Sequence, residues 1–256
     1  MILRRLTANL RAQNWTAITI DFAIVVIGVF LGIEASDWNQ GRLAKHETDT
    51  LLVEMRPELQ RMHLATTERL NYYQTARRFA DTALAGWAGD PKVSDRDFVI
   101  AAYQASQITG ARGDSPLKTI LDAQDIRKID EPALRWALLR VLNFNYDAVS
   151  ASGMQTHYRE DLRQIIPADI QDVVRRECGD RPTPNGMPVL PKACPADIPS
   201  ARAATAADVL RAHPELAREL QFHLSQVANF ELNTVWLDEQ VVNLQKQLSS
   251  KFGKRA

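Results

Sequence analysis

Cysteine is nearly missing from this chain: only Cys178 and Cys194 occur in 256 residues. With no second cysteine pair and no histidine close in sequence, a zinc site of the usual spacing is excluded. The histidines are His46, His63, His157, His213 and His223, and no two lie three or four apart. No helix therefore offers a paired-histidine metal face. The double Glu-x-x-His of di-iron bundles is absent. His46-Glu47 opens like a metalloprotease motif, but Thr50 stands where its second histidine belongs. A G-x-S-x-G elbow and a phosphate loop are also lacking. Charge of one sign is not in surplus, since 31 basic residues balance 31 acidic ones. Nucleic-acid binding thus has no electrostatic footprint. Alternating β-branched runs do not occur, and neither do internal repeats or low-complexity segments. These absences argue against an enzyme, and no catalytic, cofactor-binding or metal-binding residue is assigned.

What the chain does have is a long apolar run. Phe22 to Ile33 are twelve residues without a strongly polar side chain, bracketed by Trp15 and Trp38. A helix from Trp15 to Trp38 would be ~36 Å long at ~1.5 Å per residue, against a hydrocarbon core of ~30 Å. Ile18, Thr19 and Ile20 must then also be immersed, with Asp21 about one turn below the headgroups. Trp15 and Trp38 suit the two interfacial belts as anchors. A buried core helix is one alternative. A cleaved signal peptide is another, but Ile33-Glu34-Ala35 provides no A-x-A cleavage pattern. Within the run, Gly28 and Gly32 form a G-x-x-x-G that Ser36 extends. Small residues at that spacing let membrane helices approach closely, so self-association through this face stands beside simple tolerance of glycine.

Orientation follows from basic residues. Residues 1–14 carry Arg4, Arg5 and Arg11 and no acid, whereas Arg42 and Lys45 after Trp38 are diluted by Glu47 and Asp49. The positive-inside rule puts the amino terminus in the cytoplasm. The cysteines point the same way. They flank a stretch whose prolines and glycines forbid helix, and a disulfide closing it would need an oxidising compartment. The other reading is two unrelated free thiols. The expected organisation is a cytoplasmic segment 1–14, a membrane helix 15–38 and an exterior 39–256 with a disulfide-closed loop 178–194. For a bacterial protein this means a single pass of the inner membrane and a periplasmic domain.

The exterior reads as all-α. Leu52, Met55, Leu59, Met62, Thr66, Arg69, Tyr73, Ala76, Ala80, Ala83 and Trp87 follow steps of three and four, which continues the membrane helix to about Trp87. Pro57 should kink or restart it near Arg56. Ser94 and Asp95 cap a helix to about Gln107, and Asp114 or Ser115 with Pro116 opens the next. Asp130-Glu-Pro-Ala opens a longer helix with Ala137, Val141, Phe144, Ala148, Ala151, Tyr158, Leu162 and Ile165 on one face. Pro167 and Asp169 start a helix ending near Cys178, and Thr205 caps a short one before Pro214. The last helix has a seam of Leu216, Leu220, His223, Val227, Phe230, Thr234, Leu237, Val241, Leu244 and Leu248. Long helices with narrow seams and short connections pack as antiparallel bundles or coiled coils.

The segment Val25-Val-Ile-Gly-Val-Phe-Leu-Gly-Ile33 followed by Ser36-Asp-Trp-Asn39 resembles a family of bacterial single-pass membrane proteins of unassigned activity. In that family the membrane helix reads V-V-I-G-V-x-x-G-I and ends in S/N-x-W-N. Pro116 to Ile129 resembles the family's T-L-x-x-(S/D)-x-x-(L/I)-x-x-I turn, with Gln124 where the family more often has glycine. The resemblance implies an amino-terminal anchor and a helical exterior, and carries over no functional residues.

Among single residues, His223 falls on the seam of the last helix and needs a partner. Glu219, one turn away, is the expected one. His223 is a register-fixing core histidine or a candidate pH switch. Arg69, Asn143, Asn145, Gln155 and Thr234 are seam irregularities, or the lining of a small-ligand pocket. The basic end Lys251 to Arg255 would meet anionic headgroups if the last helix returns toward the membrane. The leading expectation is a membrane-anchored interaction or scaffold module. Its partners are the lipid bilayer, an unknown protein and copies of itself. A periplasmic ligand-sensing bundle is the runner-up; with only residues 1–14 inside, it would signal through a membrane partner.

Overall fold

The computed structural model describes residues 15–110, 115–121, 123–150, 154, 156–184 and 187–253. Arg4, Arg5, Arg11, Ala151, Gln155 and Arg255 lie outside the described residues. Most of the described residues are helical, and the class is all-α. α1 is Trp15–Trp87, α2 Asp95–Ala105, α3 Ala123–Arg127, α4 Pro132–Leu142, α5 His157–Ile165, α6 Ala168–Cys178, α7 Ser200–Arg211 and α8 Glu215–Phe252. Two short 3-10 turns are at Pro116–Thr119 and Tyr146–Val149, and β1 Arg181–Pro182 pairs antiparallel with β2 Pro188–Val189.

α1 and α8 are the two long staves, and they run antiparallel. Arg56 donates to the Leu248 carbonyl, His63 Nδ1 meets Asp238 at 2.7 Å, and Arg77 pairs with Glu231 at 2.7 Å. Rising residue numbers on α1 thus meet falling ones on α8. Both seams are where the periodicity puts them: Leu52, Met55, Leu59, Met62, Tyr73, Ala76, Ala80 and Ala83 are buried, as are Leu216, Leu220, Val227, Leu237, Val241, Leu244 and Leu248. The core is split along the staves. Leu52 to Met62, α4 and the end of α8 form one apolar cluster, and Ala80, Ala83, α2, α5, α6 and α7 form another. A third, smaller cluster gathers Tyr72, Tyr73, Ala76, Leu190 and Val227, and polar contacts lie beside it: Asp238 accepts from Thr66 and meets His63, and the Tyr73 hydroxyl donates to the Thr109 carbonyl at 3.0 Å.

Pro57 does not restart the helix; α1 continues through it. A proline frees the carbonyl four residues back, here Val53. Val53 and Pro57 are on the exposed side, so water can satisfy that carbonyl, while Met55 and Leu59 are fully buried and hold both flanking turns. The long helix expected from Asp130 through Ile165 is in three pieces. The first closes at Asn143, whose amide donates to the Leu139 carbonyl; Asn145 opens the 3-10 turn by accepting from the Asp147 amide at 3.1 Å, and the Tyr146 hydroxyl turns back to the Val141 carbonyl. Thr156 then caps α5, its hydroxyl accepting from the Arg159 amide. A shared apolar face was there, but the caps decided the breaks. Thr205 is not a cap: α7 starts five residues earlier, behind Pro199, and the Thr205 hydroxyl donates to the Ala201 carbonyl. Ser94 does cap α2, accepting from the Asp97 amide, with Asp95 and Asp97 at the positive end of the helix dipole.

α1 and α2 meet over Gly86. A Cβ at that position would lie 2.2–2.9 Å from Phe98 ring carbons. The ring has no room to yield, because Phe98 is fully buried and Trp87 stands edge-on to it at 5.0 Å. Gly86→Ala should therefore destabilise the fold by about 1–3 kcal/mol through overpacking, despite the ~1 kcal/mol that alanine gains over glycine in a helix. A thermal midpoint equal to or above the parent's would contradict this packing.

Candidate functional site

Two features stand apart from the packed bundle: the amino-terminal part of α1, and an aromatic surface on α4 and α8. Among the described residues, one helix is long and apolar enough to cross a membrane, and none of them covers its most apolar window. Phe22, Ile24, Ile27, Phe30, Leu31 and Ile33 are all exposed, and so are Trp15 and Trp38. Among the described residues, Cβ atoms built on Gly28 or Gly32 would meet no atom within 4 Å, so none of these residues occupies the small-residue face. Ser36 accepts from the Gln40 amide at 3.1 Å. The first buried residue after Trp38 is Thr48. At ~1.5 Å per residue, the stretch between them is a helical stalk of roughly 15 Å, from which Lys45 reaches Asp130 at 3.4 Å. α8 returns toward that stalk, and Lys251 sits between Asp49 at 3.1 Å and Glu131 at 2.8 Å. The basic end is thus partly neutralised by these carboxylates.

Higher on the bundle, the connection between α4 and the second 3-10 turn lays Phe144 face to face on Trp236, with centroids 5.4 Å apart and planes at 22°. Trp136, 65% exposed, closes the other side. The groove between them holds about 650 Å³ and is edged by Arg140, Asn143, Asn145 and Asn233. Leu232 (69% exposed), Val235 and Phe222 extend the apolar surface along the outer side of α8. Of the seam polars, Asn143 and Asn145 do edge this groove. Arg69 and Thr234 are buried elsewhere, Arg69 reaching the Gly110 carbonyl and Met187 Sδ, and Thr234 donating to the Phe230 carbonyl. They do not converge on one pocket. The two tryptophans carry a signal that could have been read: each is adjacent to a seam residue, Ala137 or Leu237, and so falls outside the buried stripe.

His223 is fully buried beneath the Tyr158 ring, 5.6 Å away. Its partner is not Glu219 but Thr156, whose hydroxyl meets Nδ1 at 2.9 Å; Nε2 has no hydrogen-bond partner. Burial, and then the nearby Arg159 charge, push the imidazole down to about 4. The candidate switch therefore stays uncharged across the neutral range. Glu219 keeps one buried oxygen unpaired, and burial raises its pKa.

Cys178 ends α6 and is bonded to Cys194, with Cα atoms 5.2 Å apart. The loop between them carries β1 and β2, and the bridge closes a 16-residue separation. Such closure is worth about 3 kcal/mol in the chain-entropy model. Chain taken from cells and alkylated under denaturing conditions should carry no label without reductant and two labels after it; labelling without reductant would remove the oxidised loop. Among the described residues, no three His, Cys, Asp or Glu side chains are grouped to hold a metal ion. Set against known proteins, the chain matches no family profile, no curated protein and no solved structure.

Proposed function

We propose that this protein is a membrane-anchored interaction module. α1 spans the bacterial inner membrane from Trp15 to Trp38 with residues 1–14 in the cytoplasm, and its bundle stands on a short stalk in the periplasm. The bare apolar helix, the basic residues ahead of it and the resemblance of Val25–Asn39 to single-pass anchors support the topology. The single observation that carries the interaction role is the aromatic surface of Trp136, Phe144, Leu232 and Trp236. Trp136, Leu232 and Trp236 are large apolar side chains held on helices and left uncovered, and the half-buried Phe144 stacks on Trp236 beside them. Contiguous exposed apolar surface with aromatic anchors is the usual mark of a protein-binding face. Gly28, Gly32 and Ser36 supply a second contact, between copies within the bilayer.

Photo-crosslinking from position 232 in intact membranes tests this reading. A discrete crosslinked species is expected, either a second polypeptide or another copy of the chain, and Trp236→Asp should diminish it. Crosslinks between copies should also fall when Gly28 and Gly32 are both changed to leucine. Absence of any discrete species from positions 136, 232 and 236 would end the interaction reading.

A further inference from the structure

Four arginine Nε atoms, those of Arg56, Arg69, Arg159 and Arg163, are buried without a hydrogen-bond partner. Arg56 and Arg69 still donate through a terminal nitrogen, to the Leu248 and Gly110 carbonyls. Arg159 and Arg163 differ, because neither guanidinium donates to any described residue. They sit four residues apart on α5, which puts both on one face of consecutive turns. The Tyr103 ring lies under Arg163, its centroid 5.5 Å from Cζ. Arg159 reaches in beside Tyr72 and the buried His223. One carboxylate, Asp180, is within electrostatic reach of both. It forms a salt bridge with neither and accepts the Tyr72 hydroxyl at 3.0 Å.

Two like charges half-sunk side by side, with a single shared carboxylate turned to a tyrosine, are costly in a folded chain. Buried donors without partners ask for a missing ion or water. Burial, and next the Arg163 charge, disfavour the charged form of Arg159, but a guanidinium keeps its proton at neutral pH. A bound anion is what would relieve both penalties together. Each guanidinium fork matches two oxygens of a phosphate or carboxylate, and the aromatic floor formed by Tyr103 lowers the local dielectric and strengthens the contact.

We propose that Arg159 and Arg163 form a binding site for an oxyanion, the phosphate or carboxylate group of a small solute. Asp180 sets its selectivity by repelling weakly held anions, and Tyr103 provides the flat wall. The site needs neither the anchor nor a protein partner, so its failure leaves the interaction reading untouched. Its success would give the bundle a ligand to sense.

The test uses the full chain in detergent, with inorganic phosphate, citrate and chloride compared at equal ionic strength. The expected result is a thermal midpoint raised by several degrees in millimolar phosphate or citrate over chloride. The Nε resonances of Arg159 and Arg163 should shift in the same titration. A phosphate response without a citrate response assigns the phosphate group, and the reverse assigns the carboxylate. Arg159→Gln with Arg163→Gln should abolish the shift in midpoint, while Arg96→Gln, on the surface, should keep it. If the double variant does not fold, Arg163→Lys serves instead: it keeps the charge, loses the fork and should weaken the response several-fold. Equal midpoints in all three salts with unmoved Nε resonances would overturn the site, as would a response that survives in the variants.

Discussion

Membranes carrying the full-length chain should retain it through an alkaline carbonate wash, whereas a chain begun at Gln40 should appear in the supernatant. The difference lies in residues that do nothing for the bundle. Phe22, Ile24, Ile27, Phe30, Leu31 and Ile33 touch no part of the core, and the next buried side chain is Thr48. Each central Leu, Ile, Phe or Val favours insertion by about 0.3–0.6 kcal/mol, so the nine between Phe22 and Ile33 give roughly 3–5 kcal/mol. An arginine at the helix centre costs about 2.5–3.5 kcal/mol on the same scale. Ile27→Arg should therefore shift much of the protein out of the membrane fraction while leaving the helical bundle folded. Full-length protein in the carbonate supernatant would sink the anchor, and with it the stalk and the periplasmic placement. In that case the exposed stretch would be a core helix awaiting a partner chain.

Acidification should cost the parent protein about 3 kcal/mol between pH 6.5 and 4 that a His223→Leu variant does not lose. Burial holds the folded-state imidazole at about 4, below the ordinary 6.5 of the unfolded chain. The unfolded state thus binds the proton first, so the stability from a neutral His223 is complete above pH 6.5. It falls as pH drops toward 4, at ~1.4 kcal/mol per unit. Leucine removes the titration, and it removes the unpaired Nε2, a buried polar atom of the kind that costs ~1–3 kcal/mol. Thr156 loses its imidazole partner but still caps α5 through the Arg159 amide. The variant should match or exceed the parent at pH 7 and lead clearly at pH 4.5. Urea midpoints measured at both pH values decide the matter; parallel pH slopes for parent and variant would show that His223 does not titrate as its burial requires.

Much of the fold was legible because its signals are local. Leu216 to Leu248 repeat in steps of three and four over many turns, and a stripe that long has one reading. The same holds for Leu52 to Ala83, with Arg69 buried in register at the point where the seam is interrupted. Legibility failed where short-range hydrogen bonds compete with helix continuation. The periodicity from Ala137 to Ile165 is helical, yet Asn145 and Thr156 take backbone amides for themselves and break it. Pro57 misled in the other direction. Its cost is small where the freed carbonyl faces water and the flanking turns are buried, and exposure at that position is not a local property.

The sequence by itself determined the helical class, both long staves and the one segment suited to lipid. Periodicity and apolar run length act within a few turns of the chain and need no partner to be expressed. Only the tertiary structure decided which polar groups meet. His223 takes Thr156 from 67 residues earlier, Asp238 serves both His63 and Thr66, and Asp180 takes the Tyr72 hydroxyl. Those choices depend on how helices far apart in sequence are laid against each other, and on which side chains lose their water when that happens.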